Sequence, residues 1–278
     1  MQINLDHTIN SGQVFLWEKS NAKWYGINGT DILLVDENNP DTISSYQKQD
    51  YDLFREGDDF ERIINIISKD KIIRKGIKSF PGLRLMRQDP FQCYISFIVS
   101  SNSSIQNIRK TLQNITKKFG TKTTWHDKTF YTFPEPKKLA NATKSELLLC
   151  GLGYRAPFVK EASSLVVQGK IDFDFLKKAD YHTAKESLLQ VFGIGNKVAD
   201  CILLFSLEKL EAFPLDRWII RSLQEYYPGK FSFEGKTITQ KKYQTLHQQI
   251  TKYFGPYAGY CQQFLFKLIR ESNQKKWL

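Results

Sequence analysis

The sequence predicts an α+β protein in which a small β-rich N-terminal domain packs on a mostly α-helical domain. Short β-branched and aromatic runs separated by turn residues fill residues 1–50. Beyond them, apolar side chains recur at helical spacing instead. The Pro81-Gly82 turn is the best place for a boundary. We therefore predict an N-terminal domain over 1–83 and a helical domain over 84–278.

The order of elements follows from the same patterns. In the first domain we expect strands at 14–18, 23–27 and 31–35, and a helix that carries Phe60, Ile63, Ile64 and Ile67. In the second domain, residues 120–136 are polar and aromatic, which predicts irregular structure. The predicted helices there cover 91–98, 105–115, 143–150, 155–168, 182–190, 196–206, 216–226, 239–253 and 258–270.

Composition indicates a folded protein with an anionic partner. The chain has 278 residues, of which 41% are hydrophobic and 14% aromatic, enough for a substantial core. Lys and Arg total 40 against 29 Asp and Glu, a net charge of +11. Such a balance favours nucleic acid through release of counterions, although a basic surface also serves solubility.

The four cysteines, Cys93, Cys150, Cys201 and Cys261, are far apart. This spacing argues against zinc fingers and cysteine-ligated iron–sulfur clusters, and it predicts buried free thiols in a reducing compartment. The four histidines are scattered and suggest no metal site. We see neither a secretory signal nor a membrane-spanning stretch, so we expect an intracellular, soluble protein in a DNA-containing compartment.

A Gly-x-Gly turn, Gly193-Ile194-Gly195, joins the predicted helices at 182–190 and 196–206. Glycines at these positions can adopt positive φ and admit a ligand close to the backbone. The first turn of the second helix, Asn196 through Val198, presents free N–H groups and a partial positive charge, which suit a DNA phosphate. The alternative is an ordinary helix–turn–helix corner whose glycines allow tight packing.

Lys197 and Asp216 are the candidate catalytic residues. Lys197 lies in the first turn of its helix, where the positive end of the helix dipole favours the free amine. A free amine can attack a sugar C1′ and form a Schiff base, but a lysine here can also be an ordinary surface residue. Asp216 follows Pro214-Leu215 and can cap the next helix, stabilise a cationic sugar, or do both.

Together these motifs resemble the 8-oxoguanine DNA glycosylase/AP lyases of the helix-hairpin-helix superfamily. The similarity covers the chain from end to end, in the family's order. It rests on Gly193–Cys201 with Phe213–Asp216, and on Ser11–Trp17, Arg87–Phe91 with Ser100–Asn102, Gly151–Ala156 and Gly255–Gln262.

The resemblance implies that a damaged nucleotide flips out of duplex DNA into a pocket. Lys197 would then displace the base and form the Schiff base, Asp216 would support it, and β-elimination would nick the strand. The implied lesion pocket contains the carbonyl of Gly12, the amide of Gln262, and Phe266, Cys201 and Pro214. Without the resemblance, Gly12 would be a turn residue and Phe266 a core residue.

The resemblance further implies that Asn102, Tyr154 and Arg155 fill the vacated stack and contact the orphaned base. The sequence departs from the family at two positions. Asn107 replaces a second arginine that contacts the opposite cytosine, so we expect relaxed discrimination for cytosine. Trp218 replaces a histidine that helps to hold a phosphate, a contact for which Arg217 is the candidate substitute.

Other functions remain open at this point. A glycosylase of the same superfamily for another damaged base, or a non-catalytic helix-hairpin-helix DNA-binding module, would share part of the pattern. Lys197 argues against the alkylation-type enzymes, and the missing four-cysteine cluster argues against the thymine-glycol type. We expect damaged double-stranded DNA as partner, no membrane, and no required cofactor. Carbonyls near Phe192 and Ile194 are candidates for a monovalent cation. Protein partners are unknown.

Overall fold

The N-terminal part is a four-stranded antiparallel sheet preceded by a short helix. The computed structural model describes residues 2–231 and 239–274. Met1, and residues 232–238 and 275–278 of the predicted second domain, lie outside the described residues. The strands follow one another in the sheet in the order β1-β2-β3-β4. Their bounds, after α1 (Leu5–Ile9), are β1 (Trp17–Ser20), β2 (Lys23–Asn28), β3 (Asp31–Asp36) and β4 (Asn39–Ser45).

This part differs from the sequence prediction at both ends. The first strand starts at Trp17 rather than Val14, and the sequence prediction missed α1 and β4. The fourth strand is a polar edge strand with Pro40, which has no N–H to donate, and its pairing with β3 shifts register at Asp36. Such a strand lacks the apolar alternation by which strands are recognised.

The rest of the described chain is mainly helical, and the predicted helices are present with ends that differ by a few residues. Three further helices, α3, α6 and α9, were not predicted; α6 and α9 have six residues each, too few to show an apolar period. The helices are α2 (Phe60–Ile67), α3 (Lys71–Ser79), α4 (Pro90–Val99), α5 (Ile105–Phe119), α6 (Pro136–Asn141), α7 (Lys144–Leu149), α8 (Ala156–Val167), α9 (Phe173–Lys178), α10 (Tyr181–Leu189), α11 (Asn196–Ser206), α12 (Arg217–Tyr226), α13 (Gln240–Phe254) and α14 (Ala258–Gln274).

The prediction of irregular structure over 120–136 was wrong. This segment contains a two-stranded hairpin, β5 (Lys122–Trp125) and β6 (Lys128–Tyr131). His126 and Asp127 form its two-residue turn with φ of 48° and 59°. A left-handed pair is what a tight hairpin needs, but the sequence lacks the Asn-Gly or Asp-Gly signature that would have announced it.

Helix α11 lies in the main core of the protein. Every residue from Val198 to Ser206 on it is buried. This core joins apolar side chains of the sheet, such as Ile32, to those of α4 and α11, such as Ile98 and Ile202. A helix held on all sides is a rigid support for whatever its exposed first turn carries.

A group of charged residues joins the N-terminal part to the end of α11. The Arg55 side chain, 1% exposed, pairs with Glu208 at 2.7 Å and with Asp58 at 3.2 Å. Arg87 pairs with the same two carboxylates at 3.1 and 2.8 Å, and also with Asp52. Burial raises the pKa of Glu208, but the two arginines outweigh this effect and lower it overall. The carboxylate is therefore held charged between the two halves of the fold.

Two expectations about cysteines and membranes can be compared with the structure. Cys93, Cys150, Cys201 and Cys261 are all free and buried, as predicted. Within residues 2–231 and 239–274, no helix has the length and apolar character that a bilayer crossing requires.

Candidate active site

The predicted helix-hairpin-helix is formed by α10 and α11 with the turn between them. Gly193 has a φ of +90°, and a Cβ there would lie 2.6 Å from the Phe158 ring. Gly195 has an ordinary φ of −96°, so the expectation of positive φ holds for Gly193 alone. Among the described residues, no atom would approach a Cβ at Gly195 within 4 Å. The first glycine therefore serves the turn and its packing, while the second leaves open space in front of α11.

The N-terminus of α11 is open to a ligand. Asp180, Asp216 and Thr239 cap α10, α12 and α13 with their side chains, whereas Gly195 gives α11 no side-chain cap. The N–H groups of the first turn, which includes Val198, have no acceptor inside the helix. With the dipole's positive end behind them, they suit a phosphate oxygen. The geometry fits the predicted phosphate contact of Gly193, Gly195 and Val198.

Lys197 projects from this first turn toward the end of α4. Its Nζ lies 3.3 Å from Ser100 Oγ and 5.2 Å from the centre of the Phe97 ring. The side chain is half-buried. It makes no ion pair among the residues that the structure describes, so its amine is held by a neutral hydroxyl and an aromatic face.

Asp216 caps α12, as its position after Pro214-Leu215 predicted. Its carboxylate accepts a hydrogen bond of 2.8 Å from the N–H of Ile219. Burial raises the pKa of Asp216, against the opposing effects of Lys197, of the N–H groups of Ile219 and Trp218, and of Arg270. The carboxylate and the Lys197 amine are therefore close enough to interact electrostatically without forming an ion pair.

Cys201 lies one turn after Lys197 on the same helix and is 3% exposed. Burial raises the pKa of its thiol to about 12, although Lys197 opposes the shift. The side chain is thus a neutral, compact wall beside the amine.

The backbone around Gly12 is fixed by buried side-chain amides. Gln13 donates to the carbonyls of Thr8 and Arg84 at 3.1 and 2.8 Å and accepts from the Met86 N–H at 2.8 Å. Gln263 of α14 donates to the carbonyl of Ser11 at 2.8 Å. Gly12 itself has a φ of +83°, and a Cβ there would lie 2.9 Å from Phe266 Cε1. A side chain at this position would therefore collide with the Phe266 ring.

Gln262 and Phe266 share one face of α14, four residues apart. The Gln262 amide, 4% exposed, points Nε2 toward the Pro214 carbonyl at 3.5 Å, a distance at the weak end of hydrogen bonding. Its Oε1 is buried and has no partner among the described residues. A buried acceptor without a donor is costly, which marks this amide as one that awaits a ligand. The structure thus brings Gly12, Phe266, Gln262 and Pro214 together, with Cys201 beside Lys197.

A cavity of about 250 Å³ adjoins Gly12, and arginines that the sequence prediction missed line it. Arg270 lies four residues after Phe266 on the same face of α14, with its guanidinium 5.3 Å from the ring centre. Burial lowers the pKa of Arg270, Arg109 adds to this, and Asp216 opposes it. Arg109 Nε is buried without a partner among the described residues. The lining residues are Asn10, Gly12, Ile105, Arg109, Lys267, Arg270 and Glu271.

Continuing the four-residue spacing of Gln262 and Phe266 along α14 would have pointed to Arg270. Arg109 stands two residues after Asn107, which takes the place of the family's second arginine, but the sequence does not show that it faces this cavity. A larger cavity of about 380 Å³ lies beside the N-terminal sheet, includes Asp50, Asp52 and Asp89 in its lining, and contains none of the predicted site residues.

The residues predicted for the opposite base form an exposed cluster at the end of α4. Asn102, with a φ of +50°, donates to the Tyr154 hydroxyl at 3.4 Å. Arg155 donates to the Ser101 carbonyl at 2.7 Å and stacks on the Tyr154 ring at 4.5 Å. Tyr154 is 54% exposed, as a side chain that inserts into DNA requires.

Asn107 stands apart from this cluster. It is exposed on the first turn of α5, where its backbone N–H bonds the cap residue Ser104 at 3.2 Å. Arg217 and Trp218 are exposed on the first turn of α12. Within the described part of the chain, Arg217 makes no hydrogen bond and no ion pair, and Arg270 rather than Arg217 influences the Asp216 carboxylate.

An uncapped hairpin helix that presents a lysine, a half-buried carboxylate that interacts with it, and a buried amide without a partner among the described residues are the features of a base-excision enzyme of DNA. Residues 95–249 match the family model of the HhH-GPD superfamily of base excision DNA repair proteins. Residues 1–94 match the N-terminal domain of 8-oxoguanine DNA glycosylase. The chain belongs to the 8-oxoguanine DNA glycosylase family of that superfamily and is a DNA N-glycosylase/AP lyase.

Individual relatives agree with this assignment. A probable N-glycosylase/DNA lyase of Methanothermobacter thermautotrophicus is 33% identical, over 74% of this chain and 69% of the relative. The N-glycosylase/DNA lyase OGG1 of Arabidopsis thaliana is 26% identical, over 95% and 77% of the two chains. Among solved structures, the Clostridium acetobutylicum 8-oxoguanine glycosylase/lyase, in complex with double-stranded DNA containing cytosine opposite 8-oxoG, superimposes with a TM-score of 0.87. It is 28% identical, over 98% of this chain and 93% of that one.

Proposed function

We propose that the enzyme removes 8-oxoguanine from duplex DNA and then nicks the strand at the abasic site. The observation that carries this proposal is the buried acceptor of Gln262, which has no partner among the described residues and lies one helical turn before Phe266, whose ring packs against Gly12. We place the pocket for the base between these residues and the Lys197 amine. Such a pocket offers a flat aromatic face, a backbone carbonyl and an amide to a flipped base. These are recognition elements for a purine edge rather than for DNA in general.

The reaction begins with attack of the Lys197 amine on C1′ of the flipped nucleotide. The new N–C bond forms as the bond from C1′ to N9 breaks, and the base leaves with the electron pair and takes up a proton. Loss of a proton from nitrogen and opening of the sugar ring give the Schiff base. Removal of a proton from C2′ then expels the 3′ phosphate, which nicks the strand.

Asp216 supplies the negative charge that these reaction steps need. Departure of the base leaves positive charge on the sugar, and a fixed carboxylate stabilises it where little water is present to do so. Its cap bond to Ile219 holds the carboxylate still. Since no ion pair ties the amine to the carboxylate, the amine remains free to attack.

Lesion selection rests on Gly12. Guanine presents an acceptor at N7, whereas 8-oxoguanine carries a hydrogen there. A carbonyl directed at this position accepts from the damaged base, but undamaged guanine would leave two acceptors facing each other. An unmet buried acceptor costs about 1–3 kcal/mol. The hydrogen bonds of Gln13 and of the Ser11 carbonyl hold the backbone on both sides of Gly12, which limits how far its own carbonyl can turn away.

The backbone of the DNA is held by the open end of α11 and, on our proposal, by Arg270 with Arg109. Arg270 makes no ion pair among the residues described; its guanidinium lies 5.3 Å from the centre of the Phe266 ring and interacts electrostatically with the Asp216 carboxylate. A phosphate next to the flipped nucleotide would satisfy both arginines. This proposal replaces the expectation that Arg217 substitutes for the family's histidine.

We predict that Arg270→Gln weakens binding to 8-oxoguanine DNA and lowers the slope of log Kd against log salt by about 1, because one phosphate contact is lost. Fluorescence anisotropy between 50 and 200 mM salt, roughly the range in which such slopes are resolved, measures this. Arg217→Gln is the matched control, and we expect a smaller change in slope. If Arg217→Gln changed the slope more than Arg270→Gln does, the phosphate contact would belong to Arg217 instead.

The function is tested by excision from duplexes that carry 8-oxoguanine opposite each of the four bases, with undamaged guanine and alkylated adenine as comparison substrates. Single-turnover excision measures removal of the base, and borohydride trapping measures formation of the Schiff base. We expect 8-oxoguanine to be excised and trapped, and the comparison bases to be left. Because Asn107 is exposed and offers no guanidinium, we also expect rates that differ little among opposite bases.

Preferential excision of another base would overturn the proposed lesion. A strong preference for cytosine would instead overturn the inference from Asn107 and leave the lesion in place. The second outcome would assign cytosine recognition to Arg155 or Asn102 alone.

The chemistry above uses no cofactor, and carbonyls near Phe192 and Ile194 remain our proposed place for a monovalent cation. The partner is damaged double-stranded DNA, so we propose a DNA-containing compartment inside the cell as the place of action.

A further inference from the structure

A buried polar cluster, which the chemistry above does not use, lies behind the hairpin. We call it the Asp200 cluster; it consists of Tyr181, Lys185, Asp200, Tyr243 and His247. Asp200 is fully buried and sits three residues after Lys197 on α11. Its carboxylate pairs with Lys185 Nζ at 2.9 Å and accepts from the hydroxyls of Tyr181 and Tyr243, each at 2.6 Å. The buried charge is therefore compensated by one cation and two short hydrogen bonds.

Two members of the cluster bind the backbone of the segment that leads to Asp216. The N–H of Leu215 donates to the Tyr243 hydroxyl at 3.1 Å, and the N–H of Phe213 donates to His247 Nε2 at 3.3 Å. Tyr243 in turn donates to Asp200, so a continuous path of hydrogen bonds runs from Leu215 to α11. On either side of Pro214, the loop is thus bonded to a side chain of α13, and on the Leu215 side the path continues to the helix that carries Lys197.

His247 is in the form that this contact requires. Nε2 lies 3.3 Å from the Phe213 N–H and 3.0 Å from the Tyr181 hydroxyl, and it accepts from Phe213 in the tautomer that carries its proton on Nδ1. Burial lowers the pKa of His247 to about 4, Lys185 and His182 act in the same direction, and Asp200 opposes them. The imidazole is therefore neutral at physiological pH, with its remaining proton on Nδ1.

We propose that the Asp200 cluster positions Pro214 and Asp216 relative to Lys197. The positions of both catalytic groups then depend on one rigid helix, α11. Lys197 is part of that helix, and Asp216 is linked to it through the Leu215 amide, Tyr243 and Asp200. Residues of the cluster touch no reacting atom and are positioning residues. This inference rests on the proposed function only for the choice of substrate, because the loop geometry exists without DNA.

Tyr243→Phe tests the cluster with the loss of a single hydroxyl. We expect the single-turnover excision rate to fall by about tenfold to a hundredfold, because small misplacements of catalytic groups have effects of this size. The Kd for lesion DNA should stay within about threefold, since no DNA-contacting group changes. We also expect the Leu215 amide to exchange with deuterium faster, measured by NMR without DNA.

Tyr94→Phe is the matched control. Tyr94 is fully buried and its hydroxyl has no hydrogen-bond partner among the described residues, so loss of the hydroxyl should change neither the rate nor Leu215 exchange. At His247, Gln offers an amide oxygen to the Phe213 N–H and Leu does not. We therefore expect His247→Gln to retain more activity than His247→Leu at equal folded fraction.

Excision by Tyr243→Phe at the wild-type rate, or a fall no larger than the loss of folded protein, would overturn the proposal. So would unchanged exchange at Leu215. If wild-type enzyme leaves 8-oxoguanine untouched, the proposed lesion fails, yet nicking of preformed abasic sites and amide exchange still test the cluster. The failures of the two proposals are therefore distinguishable.

Discussion

Lys197→Gln is expected to abolish the borohydride-trapped adduct with 8-oxoguanine DNA and to reduce strand nicking by at least about a thousandfold, because the nucleophile is lost. Glutamine keeps nearly the length of the side chain and can still bond Ser100 Oγ, which lies 3.3 Å from the amine. The fold and the affinity for DNA should therefore survive. Denaturing electrophoresis after borohydride treatment detects the adduct, and anisotropy confirms binding.

Lys267→Gln is the control for this experiment. Lys267 lines the cavity beside Gly12, where it pairs with Glu271 at 3.2 Å. Its loss should leave the adduct intact. An adduct that persists without Lys197 and disappears without Lys267 would assign the nucleophile to the second lysine.

Asp216→Asn is expected to slow base excision by about a hundredfold, the size of effect seen when one preorganised electrostatic group is removed. Asparagine is as good an N-cap as aspartate, so the bond to the Ile219 N–H and the start of α12 should be kept. The Kd for lesion DNA should change little. Single-turnover kinetics together with anisotropy separate these two quantities.

The stability of this variant gives an independent check. Burial raises the pKa of Asp216 in the folded state, so the ionised carboxylate is disfavoured there relative to the unfolded chain. Stability from this group is present at low pH and is lost as the pH rises through that raised value. At neutral pH, Asp216→Asn should thus be at least as stable as wild type in thermal unfolding.

Asp59→Asn changes the same side chain at the exposed N-cap of α2 and should leave the excision rate unaltered. Excision by Asp216→Asn at the wild-type rate would reduce Asp216 to a capping residue. Lost activity accompanied by a lower melting temperature would point to a damaged fold instead.

The hairpin and the proposed catalytic pair could be named from the sequence because their signatures lie in short stretches of it. A Gly-x-Gly turn, a lysine in the next turn of helix and a carboxylate after a proline each have a local signature. Gly12 and Gln262 were reached only through family resemblance, since a backbone carbonyl and one amide among many have no signature of their own.

Other parts could not be predicted because they depend on distant segments meeting. Arg109 lies on α5 and Arg270 on α14, and only the folded chain places them around one cavity. In the sequence, Tyr243 and His247 look like ordinary buried residues of an amphipathic helix. Only the fold shows that they lie next to Asp200. The hairpin at 122–131 was missed for a local reason, since His126 and Asp127 adopt φ values that other residues usually supply.

The burial of all four thiols has a consequence for an enzyme whose substrate is made by oxidants. Burial raises the pKa of Cys93, Cys150, Cys201 and Cys261, so each is held as the thiol rather than the thiolate. Peroxide attacks thiolates, and attack requires access. These four thiols are therefore poor targets for the peroxide that accompanies oxidative damage to DNA. Cys201 stays reduced beside the pocket that we propose for 8-oxoguanine.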